Sequence, residues 1–182
     1  KLADPVLMRI RLSIVRHKRV FIRKLMKQLL SVLVLSIILP ATGSAQTVEL
    51  VDKYMAAWNN HDPVAAADFF DENVEYYDAS TGTPVIGRLK AQTEIVTAFL
   101  RAVPDLKWTR DQESPIVGTE GIAFRWTFSG TNSGNWSDGT KATHKWFLIR
   151  GATLMRISKG KIVFQGDYYD AHALYKQIGL AQ

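Results

Sequence analysis

Cysteine is missing from all 182 residues. That excludes disulfides, a thiol nucleophile, cysteine metal ligands and a lipid-modified cysteine anchor, so the fold must hold by its core alone. Histidine is scarce: four residues, scattered, with no His-x-x-x-His spacing to suggest a metal site. Neither a P-loop nor a GxGxxG fingerprint occurs. These absences point to a protein that works without a metal or cofactor. Long hydrophobic runs are also lacking. The apolar stretch Leu29 to Leu39 is 11 residues, whereas a membrane-spanning helix needs about 20.

What is present is unevenly spread. Of 23 basic and 17 acidic side chains, nine basic and one acidic fall in residues 1–45, leaving 14 and 16 for the remainder. The formal charge of +6 therefore belongs to the leader, and the rest is mildly acidic, which argues against nucleic-acid binding. Met26-Lys27-Gln28, the apolar run and the small residues Pro40 to Ala45 have the layout of a secretory signal. Gly43 and Ala45 suit the −3 and −1 positions, so cleavage is expected at Ala45-Gln46, giving an exported, periplasmic or secreted domain with no stable membrane anchor. An uncleaved anchor is the alternative. Residues 1–25 are long for a signal n-region, which suggests that translation starts at Met26. The expected organisation is a basic leader (1–25), a signal peptide (26–45) and a single domain (46–182).

Within that domain, Thr47 is placed to cap a helix with Val51, Tyr54, Met55 and Trp58 on one face. Asp62-Pro63 opens a short helix to about Phe70, Asp as N-cap and Pro at the first helical position. Val74 to Asp78 reads as a strand, and Arg88 to Val103 as the longest helix of the domain, stopped by Pro104. Strands then dominate. Leu106 to Glu113 is followed by Ile122 to Thr131, where Ile122, Phe124, Trp126 and Phe128 alternate with Ala123, Arg125, Thr127 and Ser129. Next come Thr143 to Arg150, Thr153 to Ile157, a Lys159-Gly160 turn, and Lys161 to Tyr169. A last helix opens at Asp170 and ends at Gly179. Helices first and strands afterwards imply an α+β fold, with helices on one face of a largely antiparallel sheet.

The stretches FLRAVPDLKW (99–108) and FRWTFSGTNSG (124–134), followed by Arg156-Ile157, Gly160-Lys161-Ile162, DYYD (167–170) and Gln177-Ile178-Gly179, are similar to segments of the SnoaL-like polyketide cyclases in the same order. Those cyclases sit in the wider nuclear-transport-factor-2-like (NTF2-like) superfamily. The resemblance covers about Val48 to Leu180. It implies a strongly curved sheet wrapped as a cone around an apolar pocket, with three to four helices on its concave face, and frequent homodimers. It implies a small apolar molecule as partner and no cofactor.

The resemblance also weights the candidate residues. The cyclases use an aspartate near this end of the chain as general acid/base, and epoxide hydrolases of the superfamily carry one in a setting spelled here Gly166-DYYD. Both point to Asp167. On its strand Asp167 has the parity of Val163, Gln165 and Tyr169; if that face looks inward, burial would raise its pKa into the range of a usable base. A strand-end aspartate paired with arginine is the bland alternative. Asp170 suits an N-cap. Arg125 stands where the epoxide hydrolases have Arg-x-Asp, but the chain continues Trp126-Thr127. Arg125 would hold Asp167 from the pocket or face solvent. Where the cyclases show Gly-Thr-His-x-Gly, this chain has Gly130-Thr131-Asn132-Ser133-Gly134, leaving His144 as a substitute on the strands. Ketosteroid isomerases keep their base on the first strand, where Asp78 is a reserve candidate displaced by one position, on the wrong face under strict alternation. Tyr54, Trp58, Phe99, Thr127, Trp146 and Tyr169 are candidates for lining the pocket; for the aromatic ones plain core is the alternative.

Three functions fit: a cofactor-independent enzyme of cyclase, isomerase or hydrolase type acting on a small apolar carbonyl compound, a non-catalytic module that holds a small ligand, and an interaction domain whose pocket is filled. An open cavity with Asp167 at its base favours the first, and a cavity plugged by aromatic rings the third.

Overall fold

The computed structural model describes residues 42–113 and 115–182; the expected leader and signal lie outside them, apart from residues 42–45. Gly43–Gln182 forms one compact unit.

Helix α1 runs Thr42–Asn59. It begins a turn earlier than Thr47, whose hydroxyl donates to the Gly43 carbonyl inside the helix instead of capping it. The apolar stripe lies as the spacing predicts, with Val51, Tyr54, Met55 and Trp58 buried. Helix α2 (Pro63–Ala67) starts on the Asp62 cap, whose carboxylate accepts from the Val64 and Ala65 N–H groups. It is one turn shorter than expected. Three consecutive segments, Arg88–Lys90, the π-helical Ala91–Val96 and Thr97–Ala102, make up α3. It buries Ile95, Phe99 and Ala102 as expected.

The strands are β1 (Phe70–Asp78), β2 (Val85–Ile86), β3 (Lys107–Arg110), β4 (Ile116–Val117), β5 (Gly121–Thr131), β6 (Trp146–Ser158) and β7 (Lys161–Tyr169). They form one curved, unclosed sheet in the order β2-β1-β7-β6-β5-β3, with β4 also on β5. Among the described residues only β1 and β7 pair in parallel, and every other pairing is antiparallel. The two strands expected on either side of Gly151 are one strand, β6. Gly151 is there for space: a Cβ would lie 2.4 Å from the Trp126 ring and 2.7 Å from the Tyr168 carbonyl oxygen. The β6–β7 hairpin turns on Lys159 (φ 50°) and Gly160 (φ 73°), two left-handed residues as a tight hairpin requires. Helix α4 (Ala171–Ile178) follows β7, capped by Asp170 through Ala173 N–H and closed by left-handed Gly179.

The helices supply one wall of the core and one face of the sheet the other. Phe124, Trp126 and Phe128 of β5 and Met155 of β6 meet Tyr54, Trp58 and Phe99 there. Asp52 of α1 grips the buried Arg110 of β3 with two hydrogen bonds of 2.9 and 3.0 Å, fixing helix to sheet at this edge.

Candidate functional site

Strand register brings the polar residues of the site together. Asp78 of β1 is the partner of Asp167 on β7, Asp167 of Thr153 on β6, and Thr153 of Phe124 on β5. The next row inward reads Tyr76, Gln165, Met155 and Ile122. All eight side chains are buried on the face that meets the helices. Residues from four strands, far apart in sequence, thus form a two-row floor.

Above this floor lies a cavity of about 20 Å³. Asp78, Asp167, Tyr76 and Tyr169 line its polar side, while Trp58, Trp108, Trp126, Phe99, Phe128 and Ile149 close the rest. The rings meet largely edge to face, for example Trp58 on Trp108 at 5.6 Å and Phe99 on Phe128 at 5.7 Å between centroids. A volume of this size holds about one water molecule.

Asp167 is 5% exposed. Its Oδ1 accepts from the Thr153 hydroxyl at 2.5 Å, and its Oδ2 from the Tyr76 hydroxyl at 2.7 Å and the Gln165 amide at 2.9 Å. Thr153 in turn accepts from the Trp126 indole N–H at 2.9 Å. A carboxylate offers about four lone-pair sites, so three donors leave one for a proton. Burial pushes the Asp167 carboxyl up to about 7, the neighbouring Asp78 charge adds to the rise, and the three hydrogen bonds oppose it. Asp78, also buried, is raised by desolvation against the hydrogen bonds of Ser80 and Tyr169. Two carboxyls side by side titrate as a pair, the ionisation of one disfavouring that of the other.

Several expected residues lie elsewhere. Arg125 does not hold Asp167: it alternates with inward Phe124 and Trp126, points to the outer face, and pairs there with Asp111 at 2.7 Å. Thr127 shares that outward parity, so Trp126 and Phe128 line the cavity in its place. His144 is exposed in the loop before β6 with φ 56°, and Trp146 at the start of β6 is 58% exposed. Tyr54 is fully buried behind the cavity rather than on its surface, whereas Trp58, Phe99 and Tyr169 do line it.

Asp78 moves the other way. The displacement by one position implies the wrong face, but Phe70, Val74, Tyr76 and Asp78 share one parity and are all buried, so plain alternation along β1 turns Asp78 inward. Asn132, in the position where a histidine was looked for, is fully buried and structural. Its amide donates to the Ala102 and Gly134 carbonyls, and its oxygen accepts from Thr143. Sequence reasoning missed Tyr76, Thr153 and Gln165. Gln165 has Asp167's parity and Tyr76 that of Asp78, a signal available without the structure. Thr153 needed the register. Among the described residues no cluster of acidic and histidine side chains is arranged to hold a metal ion, and no helix is long and apolar enough to cross a membrane.

A curved, unclosed, mostly antiparallel sheet covered by helices is the ketosteroid isomerase/NTF2-like fold. The sequence pattern of one family with that fold, the SnoaL-like polyketide cyclases, matches residues 48–178, and the chain belongs to that family. Among solved structures, AclR of Streptomyces galilaeus, described as a candidate hydroxylase, is 21% identical with a TM-score of 0.64, over 76% of this chain and 99% of AclR. A protein of Jannaschia sp. CCS1, described as a candidate SnoaL-like polyketide cyclase, is 13% identical with a TM-score of 0.68, over 79% and 98%. A protein of Catenulispora acidiphila with a ketosteroid isomerase-like fold, in complex with trimethylamine, is 22% identical with a TM-score of 0.62, over 74% and 95%. At these identities the likeness is one of fold. No curated protein matches the chain.

Proposed function

We propose that this domain is a cofactor-independent acid/base catalyst of cyclase or isomerase type, with Asp167 moving a proton next to the carbonyl of a small apolar compound. One observation carries the reading: a buried carboxyl, without a cation partner among the described residues, held near pH 7 at the floor of an aromatic cavity. Ionised, Asp167 has one lone pair free to take a proton from carbon. Protonated, it returns that proton to another atom of the same compound, so no net proton need leave the site. The donors from Tyr76, Thr153 and Gln165 fix the carboxyl plane, which holds the free lone pair in one direction. Export of the domain, cut before Gln46, and its assembly as a homodimer belong to the same proposal; N-terminal sequencing and light scattering on exported material test them.

The volume of the cavity favours a second reading. At about 20 Å³ it takes no ring compound unless the aromatic walls part, as an interaction domain with a filled pocket would have it. Exchange of the α-protons of cyclohexanone in D2O, followed by NMR, separates the two. The catalyst speeds exchange above the buffer rate, increasingly as pH rises through about 7, and Asp167→Asn lowers the enzymatic rate by about 10² to 10⁴. Exchange at the buffer rate with the wild-type protein would favour the filled pocket.

A further inference from the structure

A second pocket, of about 180 Å³, lies next to the cavity that Asp167 lines. Helix α3, the loop after β1, the loop of residues 136–140 and α4 with the residue Leu180 beyond it supply its walls. Trp136, Leu174, Tyr175 and Leu180 give it an apolar surface, and Glu94 and Asp138 add two exposed carboxylates. Among the described residues no lysine, arginine or histidine lines it. Two contacts join this outer pocket to the inner cavity. Phe99 alone, among the described residues, lines both. Its ring meets Phe128, a wall of the inner cavity, at 5.7 Å and Trp136, a wall of the outer pocket, at 5.5 Å between centroids, edge to face in each case. The second contact is polar. Ser80 of the outer pocket donates its hydroxyl to Asp78 Oδ1 of the inner cavity, and Tyr175 donates to the Ser80 carbonyl at 3.1 Å. The helix that carries Phe99 is itself irregular, since the π-helical Ala91–Val96 runs directly into Thr97–Ala102. Such π turns are rare and frequently accompany functional sites.

We propose that the outer pocket is the binding site for a neutral one-ring compound, and that Phe99 is the partition that turns aside to let the reacting end of that compound reach Asp167. The proposal rests on the reading of Asp167 as an acid/base catalyst and supplies the room that the inner cavity lacks. Volume decides which space takes the ring. An apolar cavity of about 150 Å³ takes a benzene ring, so 180 Å³ takes one six-membered ring, whereas 20 Å³ takes about one water. Charge decides which ring. Two carboxylates and no basic side chain on the walls disfavour an anion, and the aromatic and aliphatic surface favours an uncharged ring. Phe99 then sets the size limit. With its ring in place only a single ring fits the outer pocket, and a fused second ring needs the space that the Phe99 side chain fills.

Intermolecular nuclear Overhauser effects locate a bound probe directly, in protein labelled with ¹³C at its leucine and isoleucine methyl groups. Cyclohexanone should contact Leu174 and Leu180 of the outer pocket in wild type, and Ile149 of the inner cavity as well in Phe99→Ala. The bicyclic ketone 1-decalone should gain roughly ten-fold in affinity over cyclohexanone on that substitution, from apolar surface newly buried. Phe99→Leu, a milder change, is read in the same way should Phe99→Ala not fold. 4-Oxocyclohexanecarboxylate should bind about three- to five-fold more weakly than cyclohexanone, and Glu94→Gln with Asp138→Asn should remove most of the difference. Absence of contacts at Leu174 and Leu180 in wild type overturns the outer site, whatever the variants do. Contacts there that never extend to Ile149 in a folded Phe99 variant, or an unchanged preference between the two ketones, overturn the partition. Equal affinity for the ketone and its carboxylate overturns the selection by charge. Contacts at Leu174 and Leu180 without α-proton exchange would sink the catalytic reading alone, and exchange without those contacts would sink this inference alone.

Discussion

The two faces of the central sheet treat an aspartate in opposite ways. On the outer face Asp111 meets Arg125 at 2.7 Å, with both side chains well exposed to solvent. On the inner face Asp167 is surrounded by a threonine, a tyrosine, an amide and aromatic rings, and is held near pH 7. The outer pair sits in high dielectric, where its contribution to stability is small and screened by salt. The inner carboxyl is desolvated, so its charge is costly and its protonation state responds to pH near neutrality. The lesson is that pairing a carboxylate with arginine makes it inert, whereas satisfying it with neutral donors in a dry site keeps it chemically available.

The largest effect expected from breaking this contrast is on Asp167. Its carboxyl binds a proton more tightly folded than unfolded, so its stabilising contribution is full below about pH 4 and is lost as pH rises through about 7. Asp167→Asn removes that dependence. Relative to wild type, the variant should gain on the order of 2–3 kcal/mol between pH 5 and pH 8. Urea melts at the two pH values measure it, and parallel curves for the two proteins would contradict a raised carboxyl.

Gly151→Ala comes next. The new methyl meets the Trp126 ring and the Tyr168 carbonyl oxygen, so overpacking should cost about 1–3 kcal/mol. It also moves the ring that holds Thr153 against Asp167, so the α-proton exchange rate should fall along with stability. A variant as stable and as active as wild type would show that β5 and β6 are not packed this tightly. Asp170 lies three residues from Asp167 but only caps α4, so Asp170→Ala should cost about 1 kcal/mol and leave the pH dependence of exchange unchanged. A changed pH profile would mean that Asp170 reaches the site. Arg125→Ala, on the outer face, should be the mildest, below about 1 kcal/mol in thermal melts. A loss of several kcal/mol there would erase the contrast between the faces.

Local pattern carried much of this in the sequence. The alternation of Phe124, Trp126 and Phe128 against Arg125 and Thr127 already assigned the two faces of β5, and applying it strictly would have sent Arg125 and Thr127 outward at once. The Asp62 and Asp170 caps, the Lys159-Gly160 turn and the Gly179 stop were legible because each depends on a few neighbouring residues. The parity that groups Gln165, Asp167 and Tyr169 is equally local.

What periodicity could not carry is anything that depends on which strand lies beside which. The register of β1 on β7, invisible in either strand's own pattern, sets Asp78 beside Asp167, two carboxyls 89 positions apart in the numbering of the chain. Only pairing with β6 puts Thr153 on Asp167, and only the close pass of Trp126 over Gly151 fixes that threonine. The fold class, the caps and the choice of Asp167 were therefore determined by the sequence itself, since they rest on neighbours along the chain and on resemblance to a family. The raised pKa of Asp167, its separation from Arg125 and its contacts with Tyr76, Thr153 and Gln165 were decided by tertiary structure, because burial and register are properties of the assembled sheet and of no single segment.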